Sequence, residues 1–335
     1  MRIGVIGAGA IGGAVAALLD RVGHLVEVTA RGDHLAAIRA DGLRLDGGWG
    51  EHVARVEAAE TLQTTPELVF LCTKAQDARA AIEENAHLLR GITVVVVQNG
   101  LAGLRQAAEL LPGSECVGAL ALYASSYLSP GRFTVTTTAN TYLGAGDGPA
   151  PEAAVEAARI LDAAMPAFAV ENFTGCQWTK LIVNQVNAMP AITGLSAQET
   201  LGDRRLRAVI TASMQEATRI GFDRGIRYGR IQGLDQRILR FVAAAPRWAA
   251  QLVPLLMKRR MGATPNPGST LQSIRRGQRS EIDYLNGAVV AEAAAIGRGA
   301  PVNAALTALV HEVESSGDFI APGTVVARLR PLLQG

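Results

Sequence analysis

Three glycines near the start of the chain, Gly7, Gly9 and Gly12, occur as Gly-Ala-Gly-Ala-Ile-Gly between an apolar run, Arg2 to Ile6, and a helix-forming run, Ile11 to Val22. No other feature constrains the fold as much. A strand turning sharply into a helix needs a glycine for the tight turn, bare backbone where an anion approaches, and no side chain where helix and strand pack. The helix N-terminus then turns unpaired N–H groups and a positive dipole end toward a pyrophosphate. Gly7, Ala8, Gly9, Ala10, Ile11 and Gly12 are therefore the expected dinucleotide-binding loop. Ile3 to Leu19 is also uncharged and follows Arg2, which gives it the outline of a secretion signal. Gly4, Gly7, Gly9, Gly12 and Gly13 argue against that, since each weakens an apolar helix by about 1 kcal/mol relative to alanine.

Strand and helix patterns alternate after the loop. Leu25 to Thr29, Leu68 to Cys72 and Thr93 to Val97 are strand-like, and Gln76 to Leu89 and Leu101 to Leu110 have helical periodicity. That alternation predicts a parallel sheet with helices on its faces, an α/β fold of the Rossmann type. Strand-like pieces around Val117–Tyr123, Arg132–Thr138 and Thr141–Gly144 are expected on the far side of the same sheet, before a helix near Ala153–Ala164. Beyond Gly175 nearly everything is helical in period. The expected domains are 1–171, binding the dinucleotide, and 172–335, all helical. Within the second, Arg224 to Pro267 is irregular, with apolar and basic residues alternating from Trp248 to Met261. It is expected to be a packed helical insertion, with a basic amphipathic membrane face as the alternative.

Composition excludes several functions. At 335 residues, with 49% hydrophobic and 19% charged, the chain can fill two cores. The net charge of +2, with basic residues spread along the chain, lacks the footprint of a nucleic-acid binder. Cys72, Cys116 and Cys176 are odd in number and far apart, which points to a reducing compartment, the cytoplasm. The five histidines have no metal-ligand spacing, so no metal is expected. No run besides Ile3–Leu19 approaches a membrane span, and no membrane partner is expected.

Cofactor choice is legible at the end of the second strand. NAD-selective sites place an acidic residue there to accept from the ribose hydroxyls, whereas this chain has Thr29, Ala30 and Arg31. A guanidinium suits a 2′-phosphate, so NADPH is expected; Glu27, the competing clue, lies inside the strand. Lys74 and Asn99 follow two further strand ends, on the edge where open α/β sheets bind ligands.

Cys176 to Thr193 is helix-like, and Lys180 is its only charged residue. At 100° per residue, Lys180, Asn184 and Asn187 form one stripe and Trp178, Ile182, Val186 and Met189 the opposite one. A polar but nearly uncharged stripe suits the wall of a cleft better than a solvated face. Desolvation would lower the pKa of Lys180 and make it a usable proton donor. A second cluster runs from Pro267 through Ser269 to Gln272 and then from Ser280 to Gly287. From local sequence alone, Ser280 and Glu281 could simply cap and charge a helix start.

Taken in order, GAGAIG, CTKAQ, VQNGL, WTKLIVN, STLQ and SEIDYLNG resemble the ketopantoate reductases (2-dehydropantoate 2-reductases) over nearly the whole chain. The resemblance implies a Rossmann-type domain followed by a helical domain like the C-terminal part of 6-phosphogluconate dehydrogenase. It implies NADPH-dependent reduction of 2-dehydropantoate, a step toward pantothenate and coenzyme A. It makes Lys180 the general acid and Glu281 the partner of lysine, substrate hydroxyl and cofactor. Asn99, Asn184, Asn187 and Ser269 would bind substrate, Lys74 and Asn99 would lie beside the nicotinamide, and Arg31 would bind the 2′-phosphate. Departures from the family pattern are the three-residue spacing of Asn184 and Asn187, Ala197 where asparagine is usual, and the long Arg224–Pro267 segment. Another 2-keto acid is thus the nearest alternative substrate, and a non-catalytic NADPH sensor the alternative of another class. The apolar helical domain also suggests a homodimer.

Overall fold

Short runs such as Ile3–Ile6 and Val94–Val97 have no polar face, so a sheet built from them must be covered on both sides. The computed structural model describes residues 1–262 and 265–333; the remaining positions, including the last two of the expected helical domain and two of the insertion, lie outside it. Its strands are β1 (Arg2–Ile6), β2 (Leu25–Thr29), β3 (Leu43–Gly47), β4 (His52–Ala54), β5 (Glu57–Ala59), β6 (Leu68–Leu71), β7 (Thr93–Val97), β8 (Glu115–Ala121), β9 (Ala124–Ser129), β10 (Arg132–Thr137), β11 (Thr141–Gly144) and β12 (Ala167–Ala169). Eight of these pair in the order β12-β11-β8-β7-β6-β1-β2-β5. From β8 to β5 every pairing is parallel; β11 runs antiparallel to β8 and parallel to β12.

Side-chain alternation divides the interior in two. Ile3, Val5, Val28, Phe70 and Val95 join one apolar cluster with the Ala10–Arg21 helix; Ile6, Val69, Leu71, Val94 and Val96 join another with the Ala78–Leu89 helix. The chain steps from β1 outward to β2 and then crosses to β6 on the other side of β1. Connections leave the carboxyl ends of β1 and β6 in opposite directions, which opens a crevice there.

Arg132–Thr137 does not extend this sheet, contrary to the expectation from sequence. It joins a second sheet of order β4-β3-β10-β9, parallel to β3 and antiparallel to β9. The reason lies in its alternation: Phe133 and Val135 are buried while Arg132 and Thr136 are exposed, the pattern of a sheet covered on one face only. The main sheet needs strands apolar on both faces, and β8 and β11 meet that need.

The chain divides into two compact units, Met1–Phe173 and Thr174–Gly335. At the centre of the second is the Arg204–Asp223 helix, which buries Leu206, Ile210, Met214 and Ala217 on one face and Thr211, Ala212 and Gln215 on the others. Asp203 caps it by accepting from the N–H groups of Arg205 and Leu206. Among its described residues the irregular segment forms the helices Gln236–Ala244, Arg247–Ala250 and Leu252–Arg260. Gln215 of the central helix donates to the carbonyls of Val242 and Ala245, so the insertion is packed.

Candidate active site

β1 ends in Gly7 at φ +93°, a conformation that residues with a Cβ rarely adopt. A methyl group at Gly12 would lie 2.1 Å from the Gly7 carbonyl oxygen, so the helix can approach the strand only because it has none. Gly9 faces open space: nothing lies within 4 Å of where its Cβ would be, and no side chain caps the helix that begins after it. The loop is a bare cradle with the unpaired N–H groups of a helix start, and it fits a dinucleotide pyrophosphate. Thr73, which abuts Gly7, has a buried hydroxyl with no hydrogen-bond partner among the described residues.

The second strand supports the loop from beside it. The Gly7 N–H donates to Thr29 Oγ1 at 2.9 Å and the Ala8 N–H to the Thr29 carbonyl at 2.9 Å. His34, which no local motif marks, adds a third tie. The Gly131 N–H donates to its Nδ1 at 3.0 Å, so Nε2 carries the proton and donates to the Ala8 carbonyl at 2.7 Å. Burial pushes the His34 pKa down, which favours this neutral form, and Tyr127 and Phe133 pack edge-on against the ring.

Arg31 directly follows the β2 edge and donates twice to the Glu84 carboxylate, at 2.8 and 2.6 Å. Glu27 is 5% exposed, and its carboxylate accepts from the Gln63 and Thr64 N–H groups and the Thr64 hydroxyl. It is thus committed to a neighbouring loop and turned away from any ribose. Half-buried Lys74 follows β6, and Gln98 donates to the Thr73 carbonyl at 2.9 Å, tying the ends of β6 and β7 together. Half-buried Asn99 therefore lies on the same sheet edge as Lys74 and the glycine loop.

In the helical unit, Lys180 lies on the Phe173–Asn184 helix and is 9% exposed. Burial lowers its pKa to about 8, and the negative charge of Glu281 works in the opposite direction. Trp178, Ile182, Val186 and Met189 are all buried. After Asn184 the helix tightens into a 3-10 turn, Gln185–Asn187, before continuing as Ala188–Thr193. With three residues per turn, Asn184 and Asn187 come one above the other, which accounts for their unusual spacing. Gly268, at φ +71°, packs against the Asn187 carboxamide oxygen and brings the helix carrying Ser269 beside it. Ala197 is buried, and its N–H donates to the Asn266 carbonyl at 2.8 Å.

A buried network supports these residues, and no local sequence signal marks it. Asn286 donates to Gln185 Oε1 at 2.8 Å and to Asn303 Oδ1 at 2.9 Å, and the Ser213 hydroxyl lies 2.7 and 2.9 Å from the same two oxygens, to one of which its single proton is donated. Gln185 belongs to the 3-10 turn between the two asparagines, and Asn286 follows the Glu281 segment. The network thus fastens both to the central helix. Such a network rigidifies only when its members are satisfied together.

The description of ketopantoate reductase PanE/ApbA matches residues 3–148, and that of its C-terminal part matches residues 172–314. The chain belongs to the ketopantoate reductase family. A 2-dehydropantoate 2-reductase of Pyrococcus horikoshii is 27% identical over 319 residues, 95% of this chain and 99% of that one. A crystal structure of a PanE/ApbA family ketopantoate reductase from Ralstonia eutropha has a TM-score of 0.80 at 29% identity, covering 94% of this chain and 99% of that one. D-mandelate dehydrogenase, solved with NADH and anilino(oxo)acetate, reaches a TM-score of 0.82 at 20% identity over 94% of this chain and 99% of its own, which shows a shared fold.

Proposed function

We propose that the chain reduces 2-dehydropantoate to pantoate with NADPH, and that Lys180 is the general acid. The observation that carries this reading is a lysine buried on the polar stripe of its helix, with a pKa drawn down to about 8 and a carboxylate, Glu281, acting on it. Bound NADPH would supply the hydride. The glycine loop Gly7–Gly12 would hold its pyrophosphate, Arg31 its 2′-phosphate, and Lys74 and Asn99 the region beside its nicotinamide. Asn184, Asn187 and Ser269 would orient the keto acid. As the keto oxygen takes on alkoxide charge, the Lys180 ammonium donates its proton there, and Glu281 holds the ammonium in place.

Two further parts of the reading rest on separate observations. The resemblance places a carboxamide where Ala197 stands, so one polar substrate contact would be missing, which makes another 2-keto acid the alternative substrate. Exposed Phe241, Trp248, Leu252 and Leu256 on the helical unit support self-association, and free Cys72, Cys116 and Cys176 accord with the cytoplasm. Among the described residues no helix is long and apolar enough to cross a membrane.

NADPH oxidation with a panel of 2-keto acids tests the substrate. Faster turnover of another acid would demote 2-dehydropantoate, and no turnover of any would favour a sensor. Lys180→Ala is expected to lose roughly 10²- to 10⁴-fold in kcat/KM while still binding NADPH. Reduction by the native chain is expected to decline as pH rises through about 8, because the ammonium is the donating form, and oxidation of pantoate to rise. A flat profile would remove Lys180 from proton transfer.

A further inference from the structure

Glu281 lies in a four-residue segment, Ser280–Asp283, that is held at both ends by one helix, Pro301–Ser316. The Ser280 N–H donates to Glu314 Oε1 at 2.8 Å. The other oxygen of Glu314 faces His311 Nδ1 at 2.8 Å, and His311 Nε2 faces Asp283 Oδ1 at 2.9 Å. Ser280, Glu314, His311 and Asp283 thus close a ring of contacts around Glu281 and Ile282. His311 and Glu314 can do this because residues three apart on a helix share a face.

The ring of His311 meets a carboxylate at each nitrogen, and a carboxylate can only accept. Both contacts are hydrogen bonds only when the imidazole is protonated. A neutral ring keeps one donor and turns a lone pair toward the other carboxylate. We propose that His311 and Glu314 are positioning residues, which hold the Ser280–Asp283 segment so that Glu281 is set against Lys180, firmly when His311 is charged and loosely when it is not. The proposal rests on the role given to Glu281 above.

Asp283 and Glu314 are the charged groups that act on His311, and together they raise its pKa although burial works against them. The other carboxylates on the elements packed against this helix are engaged elsewhere. Glu216 accepts from the N–H groups of Val302 and Asn303 at the far end of the helix, Glu292 pairs with Arg224, Asp223 with Arg298, and Glu312 of the helix itself with Arg328. Because both contacts need a proton on each ring nitrogen, the clamp is complete at acidic pH and loosens as pH rises through the His311 pKa.

The test compares His311→Gln, Asp283→Asn and the native chain for keto-acid reduction between about pH 6 and pH 9, with NADPH binding followed by fluorescence. The native chain should exceed either variant in kcat on the order of tenfold at pH 6, and the ratio should shrink toward one at pH 9. A variant that loosens Glu281 also lowers the Lys180 pKa, which would enlarge the ratio at high pH and so cannot produce the expected shrinkage. NADPH affinity should fall far less than kcat, since Glu281 is one of several residues expected to hold the cofactor. A ratio constant across the range would reduce His311 to a structural residue and overturn the proposal. Should His311→Gln fail to fold, Asp283→Asn alone gives the same reading. Absence of keto-acid turnover in the native chain would instead remove the function proposed above.

Discussion

Arg31 shows how much a single position reveals and how much it conceals. A guanidinium at the end of the second strand is visible in the sequence, but its partner is 53 residues away on another helix, and only folding brings Glu84 to it. The pair is exposed on both sides, so its own stability contribution is small. If Arg31 meets the 2′-phosphate as proposed, its effect on ligand choice is larger, because that phosphate must take the guanidinium away from a carboxylate whose charge also repels it. A cofactor with a free 2′-hydroxyl meets neither obstacle. Glu84→Gln is therefore expected to tighten NADP binding roughly two- to tenfold and leave NAD binding unchanged, as measured by fluorescence or calorimetric titration. Equal shifts for both cofactors would place Arg31 away from the 2′ position. Lys180, by contrast, stands out in the sequence because it is the one charge in an otherwise uncharged helix. His34 does not, because its role depends on a hairpin glycine 97 residues further on.

At the level of elements, legibility followed the range of the interaction that fixes each one. The strand, turn and helix from Arg2 to Arg21 are set by contacts within about 20 residues, and the glycine spacing gives them away. β10 pairs with β3 across some 90 residues, so its sheet could not be read from its own sequence. The 3-10 turn at Gln185–Asn187 is held by Asn286 and Ser213, and a regular helical wheel misses it for the same reason. The most local element therefore permits the most direct test. Gly12→Ala forces a methyl group against the Gly7 carbonyl, and the overpacking should cost about 1–3 kcal/mol. Both melting temperature and dinucleotide affinity are expected to fall. A native melting temperature with intact NADPH binding would mean that helix and strand do not approach closely there.

Across the whole molecule, an even spread of basic residues conceals one imbalance. Between Gln236 and Ser280 there are nine basic residues and no acidic one, although the chain as a whole carries only +2. The same stretch bears Trp248, 75% exposed, with Leu252 and Leu256 at four-residue spacing along one face and Phe241 exposed nearby. Large apolar side chains grouped in this way usually meet a partner surface. If that partner is a second copy, a two-fold interface sets the patch against itself, and the positive segments face each other as well. Apolar burial would then hold the dimer together while like charges oppose it. Salt screens the repulsion but leaves the burial, so the dimer should tighten as ionic strength rises. Analytical ultracentrifugation from about 50 to 500 mM salt, with Trp248→Glu as the control, reads this directly. The variant should be monomeric throughout, since it places a charge on the most exposed apolar residue of the stripe. Association that weakened with salt would point instead to an acidic surface as the partner, because attraction between opposite charges is what screening removes.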